Sequence, residues 1–153
     1  LTTMPVRDVE VVLGKFVAAV SVMGAALFMT LSYPVTIAAI GDLDWGPVVG
    51  GYLGLLLCAA ALASVGLMTS TWSRNQIVAF IFGLLICLAL WLFDKVTFFV
   101  PGGLGRVLEY LSIDSHFQNI ARGVVDSRDL LYYLSVIALA LYVAVRSLAR
   151  RHA

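Results

Sequence analysis

His116 is the residue of this sequence best placed to do chemistry, with Asp114 two positions before it and Ser112 and Ser115 alongside. An imidazole, a carboxylate to orient it and a hydroxyl to attack with are the parts of a nucleophilic site. Neither a Gly-x-Ser-x-Gly elbow nor a His-Glu-x-x-His zinc pair occurs, and a surface position is the plainer reading of this histidine. The expectation is therefore a surface histidine in a short helix. His152 stands in the basic tail RSLARRHA and reads as a solvated end. Cys58 and Cys87 lie inside apolar runs, without the spacing of a metal pair or a disulfide framework. They are expected as buried free thiols. No catalytic residue, metal ligand or cofactor is assigned to this chain.

What must position these groups is a strongly apolar scaffold. Of 153 residues, 61% are hydrophobic and 12% charged, whereas soluble domains carry about 25% charged residues. A net charge of +1 and the lack of basic runs give no footprint for nucleic acid. A helix crosses the hydrocarbon core with about 20 apolar residues. Phe16–Ile40, Trp45–Ser73 and Asn75–Phe93 contain no charge at all, and Leu130–Val145 is charge-free between Asp129 and Arg146. The fold class is thus all-α and polytopic. Four spans are expected, over residues 16–40, 45–73, 75–93 and 130–148, with a kink at Pro34. No span carries a charge at its centre, which disfavours a proton- or ion-coupled carrier. Tyr132, Tyr133 and Tyr142 read as interfacial or packing aromatics.

The distribution of Lys and Arg orients the chain. With the first residues cytoplasmic, Arg7, Lys15, Arg74, Arg146, Arg150 and Arg151 fall inside, and Lys95, Arg106, Arg122 and Arg128 fall outside in one long connection. Both ends are then cytoplasmic, with residues 149–153 as a short tail. The connection over residues 94–129 is half apolar and holds helix-like stretches in RVLEYL and SHFQNIARGVV, the second with Ser115 as its expected N-cap. Such a segment is expected to dip into the membrane or lie on it. In the second span Gly50, Gly51 and Gly54 include a Gly-x-x-x-Gly spacing, which permits close helix packing, within the chain more readily than between chains.

At the front, PVRDVEVVLGKF predicts a short amphipathic helix within residues 1–15, with Pro5 in its first turn and a bend at Gly14–Lys15. Val9, Val12, Leu13 and Phe16 fall on one side, away from Arg7, Asp8 and Glu10. A surface-lying anchor is the plain interpretation of such a helix.

LTTMPVRDVEVVLGKF resembles the segment LL(T/S)xPVxxxEIVLGKF of the type-2 ABC transporter permeases. LSYPVTIAAIGDLDWGPVVGGYLGLLL is similar to that family's next helical hairpin. SHFQNIARGVVDSRDLLYYLSVIALALYVAVRSL resembles the end of its gliding-motility-type branch, and permeases serving copper delivery in denitrification share much of the pattern. The three segments follow in family order and cover nearly the whole chain.

The resemblance implies that these are the last four spans of a six-span permease of the bacterial inner membrane, and that a chain beginning at Leu1 is a C-terminal piece. It implies a cytoplasmic coupling helix, with Val6, Val9, Val12 and Leu13 against an ATP-binding cassette subunit and Arg7, Asp8 and Glu10 as polar contacts. Residues 94–129 would be a re-entrant outer hairpin. ATP and Mg would be bound by the partner subunit, and a second permease chain, identical or not, would complete the path in the lipid bilayer. Competing expectations are a membrane scaffold or assembly subunit that moves nothing, and a membrane enzyme built around His116.

Overall fold

The computed structural model describes residues 7–100 and 102–152. Every regular element among them is a helix: α1 Asp8–Thr30, α2 Ser32–Ile40, α3 Trp45–Trp72, α4 Gln76–Thr97, α5 Gly103–Leu111, α6 Ile113–Ala121 and α7 Ser127–His152. Four helical stretches are long and apolar enough to cross a membrane: Asp8–Ile40, Trp45–Trp72, Gln76–Thr97 and Ser127–Arg150. This is the architecture of a membrane protein, as the charge-free runs predict.

The boundaries differ from expectation at several places, among them the end of α4, which runs to Thr97 rather than Phe93. The helix that carries the first crossing starts at Asp8 rather than Phe16, because α1 passes without interruption through Gly14 and Lys15. A lone glycine costs a helix about 1 kcal/mol, too little to break one extended by strong helix formers on both sides. The expected bend appears instead at Leu31. Pro34 cannot donate to the Thr30 carbonyl and its ring crowds it, so α1 ends there and α2 begins one residue later. At the far end, α7 carries the helix through the residues expected as a tail, as far as His152.

The middle of the bundle is α3, which touches α1, α4, α6 and α7. Trp45 and Trp72 stand at its two ends. Their separation, about 40 Å at 1.5 Å per residue, matches a bilayer including its headgroups. Small residues line the seams: Ala60, Ala61, Ser64, Ala79, Ala140 and Ala144 are buried. Large ones such as Phe28, Phe80, Phe82 and Leu139 face outward. That inversion suits a bundle whose surroundings are as apolar as its interior, where close backbone approach supplies the cohesion. Hydroxyls inside the spans are satisfied locally. Ser64 Oγ donates to the Ala61 carbonyl at 2.7 Å, and Thr71 Oγ1 to that of Met68 at 2.6 Å.

Two helix starts carry sequence-visible caps. Asp44 accepts from the Gly46 N–H before α3, and Asn75 from the Ile77 N–H before α4, both at 3.0 Å. The short helices α5 and α6 form a hairpin over the end of the bundle where α3 and α7 begin. There α6 packs on α3, α4 and α7, and α5 on α4.

Candidate functional site

Two regions hold the residues that sequence reasoning singles out. The first is the start of α1. Arg7 is its N-cap residue in extended backbone, and Glu10 reaches back so that its carboxylate accepts the Arg7 N–H at 3.2 Å. Asp8 and Glu10 in the first turn also offset the positive end of the helix dipole. Glu10 is therefore engaged in closing its own helix. Val9 and Leu13, one turn apart, are 45% and 44% exposed and share a face. Val12 is 4% exposed. It is turned into the chain's own packing, where the neighbours of α1 are α3 and α7. Val9 and Leu13 are the exposed apolar pair of this turn, and Val12 is not exposed beside them. Pro5 and Val6 lie outside the described residues.

The second region is the α5–α6 hairpin. His116 is not a surface residue: it is 5% exposed, and Asp129 beside it is 4% exposed. Its acid is Asp129 at the head of α7, not Asp114. His116 Nδ1 lies 2.6 Å from Asp129 Oδ1, and Nε2 lies 2.9 Å from the Tyr110 carbonyl. A carbonyl can only accept, so Nε2 carries a proton, and a further proton is shared between Nδ1 and the carboxylate. Asp129 Oδ2 has no hydrogen-bond partner among the described residues.

Tyr132 stacks on the imidazole, with ring centroids 4.0 Å apart and planes 22° from parallel. Its hydroxyl donates to the Leu111 carbonyl at 2.6 Å, while Tyr133 donates to that of Ile113 at 2.9 Å. These two carbonyls flank the break between α5 and α6: Leu111 ends α5, where a terminating helix leaves acceptors without partners, and Ile113 opens α6. The last span thus supplies both the counter-ion and the donors that hold the hairpin down. On the other side Lys95 of α4 bridges Asp94 and Asp114, each at 2.9 Å, and Gln118 donates to Asp114 at 3.0 Å.

The serines do other work. Ser112, not Ser115, caps α6, accepting the Asp114 N–H at 3.2 Å. Ser115 Oγ bonds to the Glu109 carbonyl at 2.7 Å and the Ser112 carbonyl at 3.0 Å. Neither hydroxyl meets the imidazole, whose two nitrogens are already taken. The cluster is built as a clasp between α5, α6 and α7 rather than as a nucleophile with its base. Among the described residues no group of three or more His, Cys, Asp or Glu could hold a metal ion, and Cys58 and Cys87 are free and partly buried.

The Gly-x-x-x-Gly pair brings the hairpin onto α3. A Cβ at Gly50 would stand 2.2 Å from the Ile120 carbonyl oxygen, and one at Gly54 would press on the Phe117 ring at 3.2 Å. The close approach is within the chain, but to a connection rather than to another span. Gly51 has open space at its Cβ position and takes no part. Gly123, with φ +83, ends α6 in the left-handed conformation directly against Gly46.

Several of these roles had little signal in the sequence. Asp129 is visible there as a charge closing a span, but nothing in its spacing from His116, thirteen positions away, announces a pair. The hydroxyls of Tyr132 and Tyr133 likewise gain their meaning from carbonyls twenty or so positions earlier. No family model matches this chain, and neither the curated proteins nor the solved structures contain a match to it.

Proposed function

We propose that this chain is a membrane-spanning permease subunit of an ATP-driven transporter of the bacterial inner membrane, with energy supplied by a separate ATP-binding cassette subunit. The support is the ordered resemblance of its three segments to type-2 ABC permeases, together with one structural observation. The charge-bearing start of α1 and the apolar span after it are a single 23-residue helix. A push on Arg7, Val9 or Leu13 would pass into the membrane without a hinge to absorb it. A surface-lying anchor would need a bend near Gly14 that α1 lacks.

In this reading ATP and Mg bind the partner subunit, and closure of its dimer displaces the start of α1. Two permease chains then rock as rigid bodies between accessible states. ATP can drive the change only by binding one state more tightly than the other. The α5–α6 hairpin, clamped by Lys95 on one side and by Asp129 on the other, would form the outer cover of the path. Both ends of α1 and α7 opposite that hairpin would face the cytoplasm. Gentle extraction of the native complex and mass spectrometry of what co-purifies tests this. An ATP-binding cassette subunit in near-equal amount is expected. Its absence, in conditions that preserve other membrane complexes, would favour a scaffold that moves nothing.

A further inference from the structure

We propose that the cavity between the C-terminal ends of α3 and α7 is a binding site for the phosphate headgroup of an anionic membrane lipid. The cavity is about 800 Å³ in volume and is lined by Thr71 and Trp72 of α3 and by Tyr142, Arg146, Ser147 and Arg150 of α7. Two guanidinium groups line it and no carboxylate does. Neither arginine has an acidic partner among the described residues, and the pairs of Lys95 and His116 lie at the hairpin, at the opposite end.

One of the two arginines is held in place. Arg146 Nε donates to the Tyr142 hydroxyl at 3.1 Å, and its guanidinium carbon lies 5.3 Å from the centre of that ring. Its terminal N–H groups have no partner among the described residues. Ser147 Oγ donates to the Thr71 carbonyl at 3.2 Å and joins the two helices where the cavity opens. A fixed, unpaired guanidinium with a second one a turn away is a fork suited to phosphate oxygens.

The surroundings select a lipid over a free anion. Trp72 ends α3, at the depth where aromatic residues meet headgroups. Leu139, one turn before Tyr142, is exposed on the membrane face of α7 and continues the surface for an acyl chain. Arginines near a helix C-terminus also offset its partial negative charge. That role alone requires neither a cavity between two helices nor an aromatic ring fixing one of the groups. Basic pockets between spans are the usual seat of anionic headgroups. The inference stands apart from the transporter reading, since it needs no ATPase.

The full chain, purified in mild detergent, is incubated with phosphatidylglycerol or phosphatidylcholine and retained lipid is read by native mass spectrometry. Preferential retention of phosphatidylglycerol is expected, falling at least about tenfold in R146Q/R150Q and remaining in R106Q/R122Q, which alters the opposite end. If the double variant does not purify, R150Q alone carries the test, with an expected drop of about fivefold. Equal retention of both lipids by the unaltered chain, or undiminished retention by the arginine variants, would overturn the proposal. So would displacement of the lipid by inorganic phosphate but not by chloride of equal ionic strength, which would assign the cavity to a soluble anion.

Discussion

Asp129→Ala removes the carboxylate from a pair in which both partners are buried, His116 at 5% and Asp129 at 4% exposure. The imidazole keeps the Tyr110 carbonyl on Nε2 but loses the 2.6 Å partner of Nδ1. Nδ1 is then a buried polar atom without a partner. Breaking a buried pair from one side costs about 3–5 kcal/mol. The pair joins α6 to α7, so the loss falls on attachment of the hairpin, and the spans remain inserted. At 1.4 kcal/mol per factor of ten, the detached population rises by roughly two to three and a half powers of ten. Trypsin reports this directly, because Arg106 and Arg122 lie within and just after the hairpin helices: cleavage there in proteoliposomes should accelerate. Removing both partners is the control. His116→Phe/Asp129→Leu keeps a ring against Tyr132 and leaves no orphaned polar group, so most of the protection should return. Cleavage in Asp129→Ala no faster than in the unaltered chain would refute the reasoning. A double variant as labile as the sum of its singles would refute it too, since it would show that the two residues act separately.

Other outcomes follow from single contacts. Gly50→Ala places a Cβ against the Ile120 carbonyl oxygen and should lower thermal stability in detergent by about 1–3 kcal/mol. Gly51→Ala next to it meets nothing within 4 Å and should be neutral, or stabilising by up to about 1 kcal/mol through helix propensity. Ser112→Ala deletes the cap of α6 and should cost about 1 kcal/mol, again visible as faster cleavage at Arg122, whereas Ser115→Ala leaves the cap in place.

The spans were legible because an apolar run of membrane length has few alternatives. The absence of charge from Phe16 to Ile40 and from Trp45 to Ser73 leaves the backbone no other way to satisfy itself in lipid. Local stereochemistry was partly legible: Pro34 announced a break, though it fell three residues earlier, at Leu31, just after the Thr30 carbonyl that the ring denies a donor. Asp44 and Asn75 are recognisable caps once the helix starts are placed. Gly50 and Gly54 signalled close approach but not its partner, because spacing describes one surface and not the one that meets it. The His116–Asp129 pair was illegible for the same reason. It depends on how α6 folds back beside α7 across the turn at Gly123, a tertiary relation that no periodicity encodes. Val12 shows a further limit. Its place among Val9, Leu13 and Phe16 marks an apolar side, while only packing decides which of those residues the chain keeps for itself.

The central claim is that the exposed face at the start of α1 meets an ATP-binding cassette subunit. A photo-crosslinking amino acid at Val9, irradiated in native membranes, tests it most directly, with one at Phe28 on the outward side of the same helix as the membrane-facing control. An adduct between position 9 and an ATP-binding cassette protein, absent from position 28, is the predicted result. Lipid adducts alone at both positions would contradict the account and leave the start of α1 as an extension of its span.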